Sequence, residues 1–283
     1  MFINAIKTNK EYTRPLYGGI KLLGSDNIIS SISTYIVVND EGWILTCKHV
    51  AEQIINSENL KDLFTEYKTI QNEKELQRFK QKYGITNDDI ISQINIFVNT
   101  FEGGHISKII LSKDLDIALI KWEDFENISV TEYPKFSNST PEIGQSVCKL
   151  GFAFIKDDYF YYDSTSKEIK KYKEKDLNVP FFPLDGIVTR HVNVSDKENA
   201  MFETSTPGIR GQSGGPIFDE SGTILGMQSA TRHLDLMFDI NGTCKRGLNI
   251  EEVHEKQFIN LGIAISSKEL TAFMDANNVK YNK

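Results

Sequence analysis

The chain has little of several things. It has three cysteines in 283 residues, Cys47, Cys148 and Cys244, so at least one stays unpaired and no disulfide framework is available. No Cys-x-x-Cys occurs, which argues against a structural zinc site. No apolar run reaches the length needed to cross a bilayer as a helix. The first residues, Met1-Phe2-Ile3-Asn4-Ala5-Ile6-Lys7, lack a cationic start, a sustained apolar stretch and a cleavage signal. There is no surplus of positive charge. The net charge is −7 and the pI about 5.4, which counts against nucleic acid or an anionic membrane as partner, since both reward a basic surface. These absences lead us to expect a chain of the reducing cytoplasm with no metal or other cofactor. What remains, 40% hydrophobic and 25% charged, suffices for a full globular core.

What is present is concentrated in the hexapeptide Gly211-Gln212-Ser213-Gly214-Gly215-Pro216. Glycines let the backbone take positive φ and let successive N–H groups face one concavity, an arrangement suited to a developing oxyanion. A serine held there is placed to act as a nucleophile. Upstream, the apolar run Trp43-Ile44-Leu45-Thr46-Cys47-Lys48-His49-Val50-Ala51 reads as a buried strand that His49 closes at a helix start. Further on, Asp114-Leu115-Asp116 leads into the strand-like Ile117-Ala118-Leu119-Ile120-Lys121. Period-two alternation puts Asp114 and Asp116 on one face, so both are candidates. Asp116 is preferred because it directly precedes the apolar run. The order is His, Asp, Ser, one of the orders in which this triad occurs.

With these blocks the chain resembles the trypsin-like serine proteases of the chymotrypsin fold, and within them the bacterial HtrA/Deg-type branch. Leu45-Thr46-Cys47-Lys48-His49-Val50 resembles that branch's histidine block, and Asp116-Ile117-Ala118-Leu119-Ile120-Lys121 its aspartate block. Gly186-Ile187-Val188, Phe202 through Pro216, Leu225-Gly226-Met227 and Gly262-Ile263-Ala264-Ile265 resemble the strands and loop around the nucleophile. The resemblance implies an all-β core of two six-stranded antiparallel barrels and a C-terminal helix, within one peptidase domain over 1–283. The N-terminal barrel would occupy 1–154 and the C-terminal one 155–283. Unlike many members of that branch, the chain is expected to lack a PDZ-like domain.

The same resemblance implies roles. His49 is the base, Asp116 its orienter and Ser213 the nucleophile, with the N–H groups of Gly211 and Ser213 as the oxyanion hole. It implies a specificity pocket floored by Pro207 and Gly208, walled by Ser229-Ala230-Thr231 and Gly262, with Arg210 on the rim. The floor carries no aspartate, so a Lys/Arg preference is not implied, and an uncharged pocket for apolar or small side chains is expected. Substrate would add along the wall as an extended strand. Arg210 is open to two readings, a structural ion pair or attraction for an acidic substrate residue. The remaining histidines, His105, His191, His233 and His254, match no block and read as structural or surface residues. Cys47 reads as a buried strand cysteine rather than a nucleophile.

Two stretches depart from the family pattern. Residues 51–95 carry helical spacing over Ala51–Tyr67 and Ile70–Tyr83, with Gly84 as a stop and a third helix expected after Thr86-Asn87-Asp88-Asp89. This insertion either covers the N-terminal barrel or has a sharper role, docking a partner or gating the cleft. Residues 155–183 form a second, aromatic and charged insertion, a candidate substrate-binding or activation loop. Within it the Lys167–Lys175 stretch is interleaved with acids and reads as solvated. Residues 1–50 read as an N-terminal arm and strands with a hairpin turn at Asn39-Asp40-Glu41-Gly42, and 267–277 as a closing helix. Three functions follow as expectations: a serine endopeptidase acting on protein or peptide substrates, an effector protease of stress or anti-phage defence switched on by a protein partner, and a non-catalytic binding module on a protease scaffold.

Overall fold

A computed structural model describes residues 2–98, 100–155, 159–172, 180–246 and 249–283. The first residues are not an extended arm but helix α1 (Ile3–Lys10). Asn9 explains its docking. Its side chain is buried and donates to Ala5 O and, across the chain, to Gly222 O, each at 3.0 Å.

Strands β1 (Thr13–Leu22) and β2 (Ile28–Val37) follow as an antiparallel pair. The expected hairpin turn then leads to β3 (Trp43–Thr46). Asn39 Oδ1 accepts from the N–H groups of Glu41 and Trp43, and Gly42 sits at φ +86°. A side chain there would strike the carbonyl oxygen of Trp122 at 2.5 Å, so glycine is required twice over.

Three helices come next: α2 (Lys48–Asn59), α3 (Lys61–Thr69) and α4 (Glu73–Tyr83). Asn72 caps α4 by accepting from the N–H of Glu75 at 3.1 Å, and Gly84 ends it in the left-handed region at φ +65°. The expected helix after Asp89 is absent. Asp89 instead closes a turn by accepting from Thr86 N and Oγ1. The chain then enters β4 (Ile90–Phe97), which pairs with β1. The run Ile90-Ile91-Ser92-Gln93-Ile94-Asn95-Ile96 is rich in β-branched residues, and an open edge on β1 decides its fate. Leu23, Phe79 and Ile91 form a buried cluster with Phe64 and Tyr67 packed on it, so the helices lean on this edge.

Strands β5 (Phe101–Leu111) and β6 (Ala118–Ile128) complete a six-stranded sheet in the order β4-β1-β2-β3-β6-β5. The second half contains β7 (Ser146–Lys149), a small hairpin of β8 (Phe160–Asp163) and β9 (Glu168–Lys171), then β10 (Leu184–Val194), β11 (Lys197–Thr204), β12 (Pro216–Phe218), β13 (Ile224–Arg246) and β14 (Asn249–Ser266). Six of these close into a barrel, β10-β11-β14-β13-β12-β7. Helix α5 (Ser267–Ala276) ends the fold with Leu270 and Met274 buried. This is the double-barrel architecture with a helical insertion and a C-terminal helix. One apolar cluster runs from Ile36 and Ile120 in the first sheet to Met227, Ile265 and Leu270 in the second half.

The second insertion touches the first. Lys167 Nζ donates to Lys68 O and Ile70 O, both at 2.7 Å, and Lys68 pairs with Glu168 at 3.1 Å. Residues 173–179 of the expected solvated stretch lie outside the described residues. A feature the sequence did not announce is the length of β13 and β14. They stay paired from Gly226↔Ser266 to Arg246↔Asn249, well beyond the barrel, with Met237, Phe238 and Ile250 exposed.

Candidate active site

His49 is the second residue of α2, just past the end of β3. Cys47 is extended (φ −71°, ψ 148°) and turns the chain from strand to helix. Asp116 grips His49 twice. Its Oδ1 accepts from the His49 backbone N–H at 2.9 Å and its Oδ2 lies 2.8 Å from Nδ1. A carboxylate at the first turn of a helix also meets the positive end of the helix dipole. Asp114 is not on the same strand face as expected: both acids precede β6, which begins at Ala118. The Asp114 side chain is 64% exposed and stands 3.8 Å from Lys197, away from His49.

Ser229 is a third partner, expected only as a pocket wall. Its hydroxyl donates to Asp116 Oδ2 at 2.6 Å. Burial by itself would raise the Asp116 pKa, but the bonds from His49 and Ser229 outweigh it and hold the carboxyl below its usual range. The bond to Asp116 raises the His49 pKa above its ordinary value against the opposing effect of burial. The Cys47 thiol is buried beside them. Burial first, then the Asp116 charge, pushes its pKa well up, so it stays a protonated thiol. Cys47, His49 and Asp116 are the grouping of His, Cys, Asp or Glu among the described residues with donor atoms within 4.8 Å. With a protonated thiol and a carboxylate already engaged, it is a hydrogen-bonded cluster rather than a metal cradle.

Ser213 arrives from the other half of the fold. Gly211 (φ +103°) and Gly214 (φ +88°) make the loop possible. A Cβ on Gly211 would lie 2.1 Å from Phe152 O, and one on Gly214 would lie 2.0 Å from Thr34 O. Thr34 of β2 stitches the loop to the first sheet. Its hydroxyl donates to Gly211 O at 2.7 Å and its N–H to Ser213 O at 2.9 Å. From below, the buried amide of Gln212 accepts from Ile209 N at 3.1 Å and donates to Phe182 O at 2.9 Å. The N–H groups of Gly211 and Ser213 have no hydrogen-bond acceptor among the described residues. The Ser213 hydroxyl donates to Ser229 O at 3.3 Å and makes no bond to His49.

A cleft of about 580 Å³ opens beside Ser213. Pro207, Gly208, Arg210, Ser229, Ala230 and Thr231 line it, as does His233, which the sequence left among surface residues. Gly262 does not line it. It lies beneath, where a Cβ would come 2.4 Å from Lys149 Nζ. Lys149 is the residue that sequence reasoning missed. It is 1% exposed, at the end of β7, and its ammonium donates to Thr204 Oγ1 (2.9 Å), Thr206 O (2.8 Å), Pro207 O (3.2 Å) and Gln228 Oε1 (3.1 Å). Burial pushes its pKa down to about 7. The available signal was a lone charge inside the apolar run Val147-Cys148-Lys149-Leu150.

Comparison with known proteins bears on this arrangement. The sequence profile of the trypsin-like peptidase domain matches residues 33–227, well over half the chain. No curated protein matches the sequence. Among solved structures, the chain is similar to the Rv3671c protease of M. tuberculosis in its active form, at 10% identity over 99% of this chain and 86% of that one (TM-score 0.48). The inactive form of a serine-to-alanine variant of the same protease aligns at 10% identity over 96% and 89% (TM-score 0.47). AlgW, an HtrA-type protease with a decapeptide, aligns at 13% identity over 99% and 68% (TM-score 0.49).

Proposed function

Since the chain belongs to the trypsin-like peptidase family and is a serine endopeptidase, we propose that His49, Asp116 and Ser213 cleave peptide bonds through an acyl-enzyme. His49 takes the Ser213 proton as the hydroxyl attacks the scissile carbonyl, then returns it to the leaving amine. Asp116 fixes the Nδ1 tautomer and stabilises the imidazolium. The N–H groups of Gly211 and Ser213 receive the oxyanion, each such donor being worth about 10²–10³ in rate. Water repeats the sequence to release the acid. Substrate adds as a strand along Ser229–Thr231 with one side chain in the cleft.

The observation that carries this reading is the double grip of Asp116 on His49 opposite a serine loop with two unused N–H groups. Labelling of Ser213 by an active-site fluorophosphonate tests it; a folded protein that resists the probe under every condition counts against it.

A second reading concerns regulation: the protease waits for a protein partner. The Ser213 hydroxyl rests on Ser229 O rather than on His49, so a rotation must precede attack. Labelling that needs added cell lysate supports this reading, and equal labelling without it removes it. Three free cysteines suit a reducing cytoplasm. Among the described residues no helix is long and apolar enough to cross a membrane.

A further inference from the structure

Just beneath the cleft beside Ser213, behind its lining residues Pro207 and Gln228, lies a buried lysine, Lys149, with no carboxylate partner among the described residues. Four acceptors surround the Lys149 ammonium and all are neutral: two carbonyls, a hydroxyl and an amide oxygen. Removing a lone charge from water is costly unless an opposite charge repays it, and a well-packed apolar residue of the same volume fills such a space with less penalty. The four bonds of Lys149 tie the loop from Thr204 to Pro207, but none of them supplies the charge that would offset burial of an ammonium.

The cleft shares this bias. The chain carries 39 acidic residues and a net charge of −7, yet among the described residues no carboxylate lines the cleft. Arg210 and His233 stand at its sides instead. Arg210 is exposed and has no hydrogen bond or ion pair among the described residues, which leaves its structural ion-pair reading without a partner. The basic groups are thus arranged in depth, with Arg210 and His233 lateral and Lys149 below.

We propose that this cleft selects a glutamate or aspartate side chain on the acyl side of the scissile bond, and that Lys149 is the charge that recognises it. The inference rests on the proteolytic reading of Ser213. Gln228 is the link between cleft and cation: it lines the cleft, accepts from Lys149 Nζ, and holds its own amide to Ala230 O (2.6 Å) and Ile263 O (3.2 Å). Bare backbone makes room for it. A Cβ on Gly208 would come within 2.3 Å of Gln228 Nε2, as one on Gly262 would crowd Lys149. A substrate carboxylate reaching the floor takes over the acceptor position of Gln228 Oε1 or Pro207 O and gives the ammonium its missing counter-charge.

Four internally quenched peptides, identical except for Glu, Gln, Leu or Lys at that position, test the proposal on the wild-type protein. Glutamate and glutamine have the same shape, so their kcat/KM ratio isolates charge. We expect Glu to exceed Gln by roughly 10–100-fold, the range for a charge-assisted hydrogen bond in place of a neutral one, and Lys to be the poorest. In Lys149→Met the Glu/Gln ratio falls toward one; in Arg210→Ala it falls less. Should Lys149→Met fail to fold, the wild-type ratio still decides. Cleavage of the Gln, Leu or Lys peptide as fast as the Glu peptide overturns the proposal while leaving the protease intact. A folded protein that takes up no fluorophosphonate and cleaves none of the peptides overturns the proteolytic reading, and this inference with it.

Discussion

Ser229 Oγ lies 2.6 Å from Asp116 Oδ2, the same oxygen that lies 2.8 Å from His49 Nδ1. One carboxylate oxygen thus receives a hydrogen bond from each half of the fold. The Ser229 hydroxyl acts through Asp116, while its backbone is left for substrate. Ser229→Ala is expected to lower kcat about tenfold, the effect of losing one hydrogen bond to a charged group, with KM changed less than twofold. Steady-state kinetics on a single peptide separates this from a mere loss of pocket wall, which would raise KM instead.

The pH dependence has a defined sign. A general base works in its neutral form, and the bond to Asp116 raises the His49 pKa above 6.5. The acid limb of kcat/KM is therefore expected to have its midpoint above pH 6.5. Asp116→Asn should move that midpoint down and lower kcat by about 10⁴.

The same pair contributes to stability over a limited window. The raised His49 pKa gives stability that is full below the unfolded value of 6.5 and lost as pH rises through the folded one. The lowered Asp116 pKa gives stability present above 3.8 and lost as pH falls through its folded value. The Tm difference between wild type and Asp116→Asn should be largest between pH 3.8 and 6.5. A difference that keeps growing toward pH 8 contradicts the assignment.

Gln212 is buried and joins Ile209, at the rim of the cleft, to Phe182 of the second insertion. Gln212→Ala leaves Ile209 N–H and Phe182 O without these partners. It should cost about 1–3 kcal/mol in urea unfolding and lower kcat by loosening the residues that carry the oxyanion donors. A variant equally stable and equally active would show the tie to be idle.

Asn72 addresses the helical insertion. Its cap on α4 is far in sequence from the triad, and Asn72→Ala should remove about 1 kcal/mol of stability with kcat/KM unchanged. A drop in activity at unchanged global stability would assign the insertion a gating role instead of a covering one.

The legible parts of the sequence were those where chemistry forces residue type. The serine loop needs glycine at Gly211 and Gly214 because backbone oxygens stand 2.1 and 2.0 Å from the missing Cβ atoms, and that need shows as a motif. The Gly84 stop and the Asn39–Gly42 turn were legible for the same reason. Segments whose state depends on distant partners were not. Residues 90–97 became a strand because β1 offered an edge. Residues 3–10 became a helix docked by Asn9 on Gly222. The extension of β13 and β14 has no apolar inner face to mark it in the sequence. Lys149 was hidden because a single lysine in a strand says nothing about the carbonyls that a remote loop folds around it.

The most direct test of the account is hydrolysis of a quenched peptide by purified wild-type protein and by Ser213→Ala, with intact-mass analysis after fluorophosphonate treatment. The account predicts one adduct, on Ser213, in the wild type, and neither adduct nor cleavage in the variant, whose Tm stays close to that of the wild type. Cleavage that persists in Ser213→Ala, or an adduct on a different residue, would contradict it.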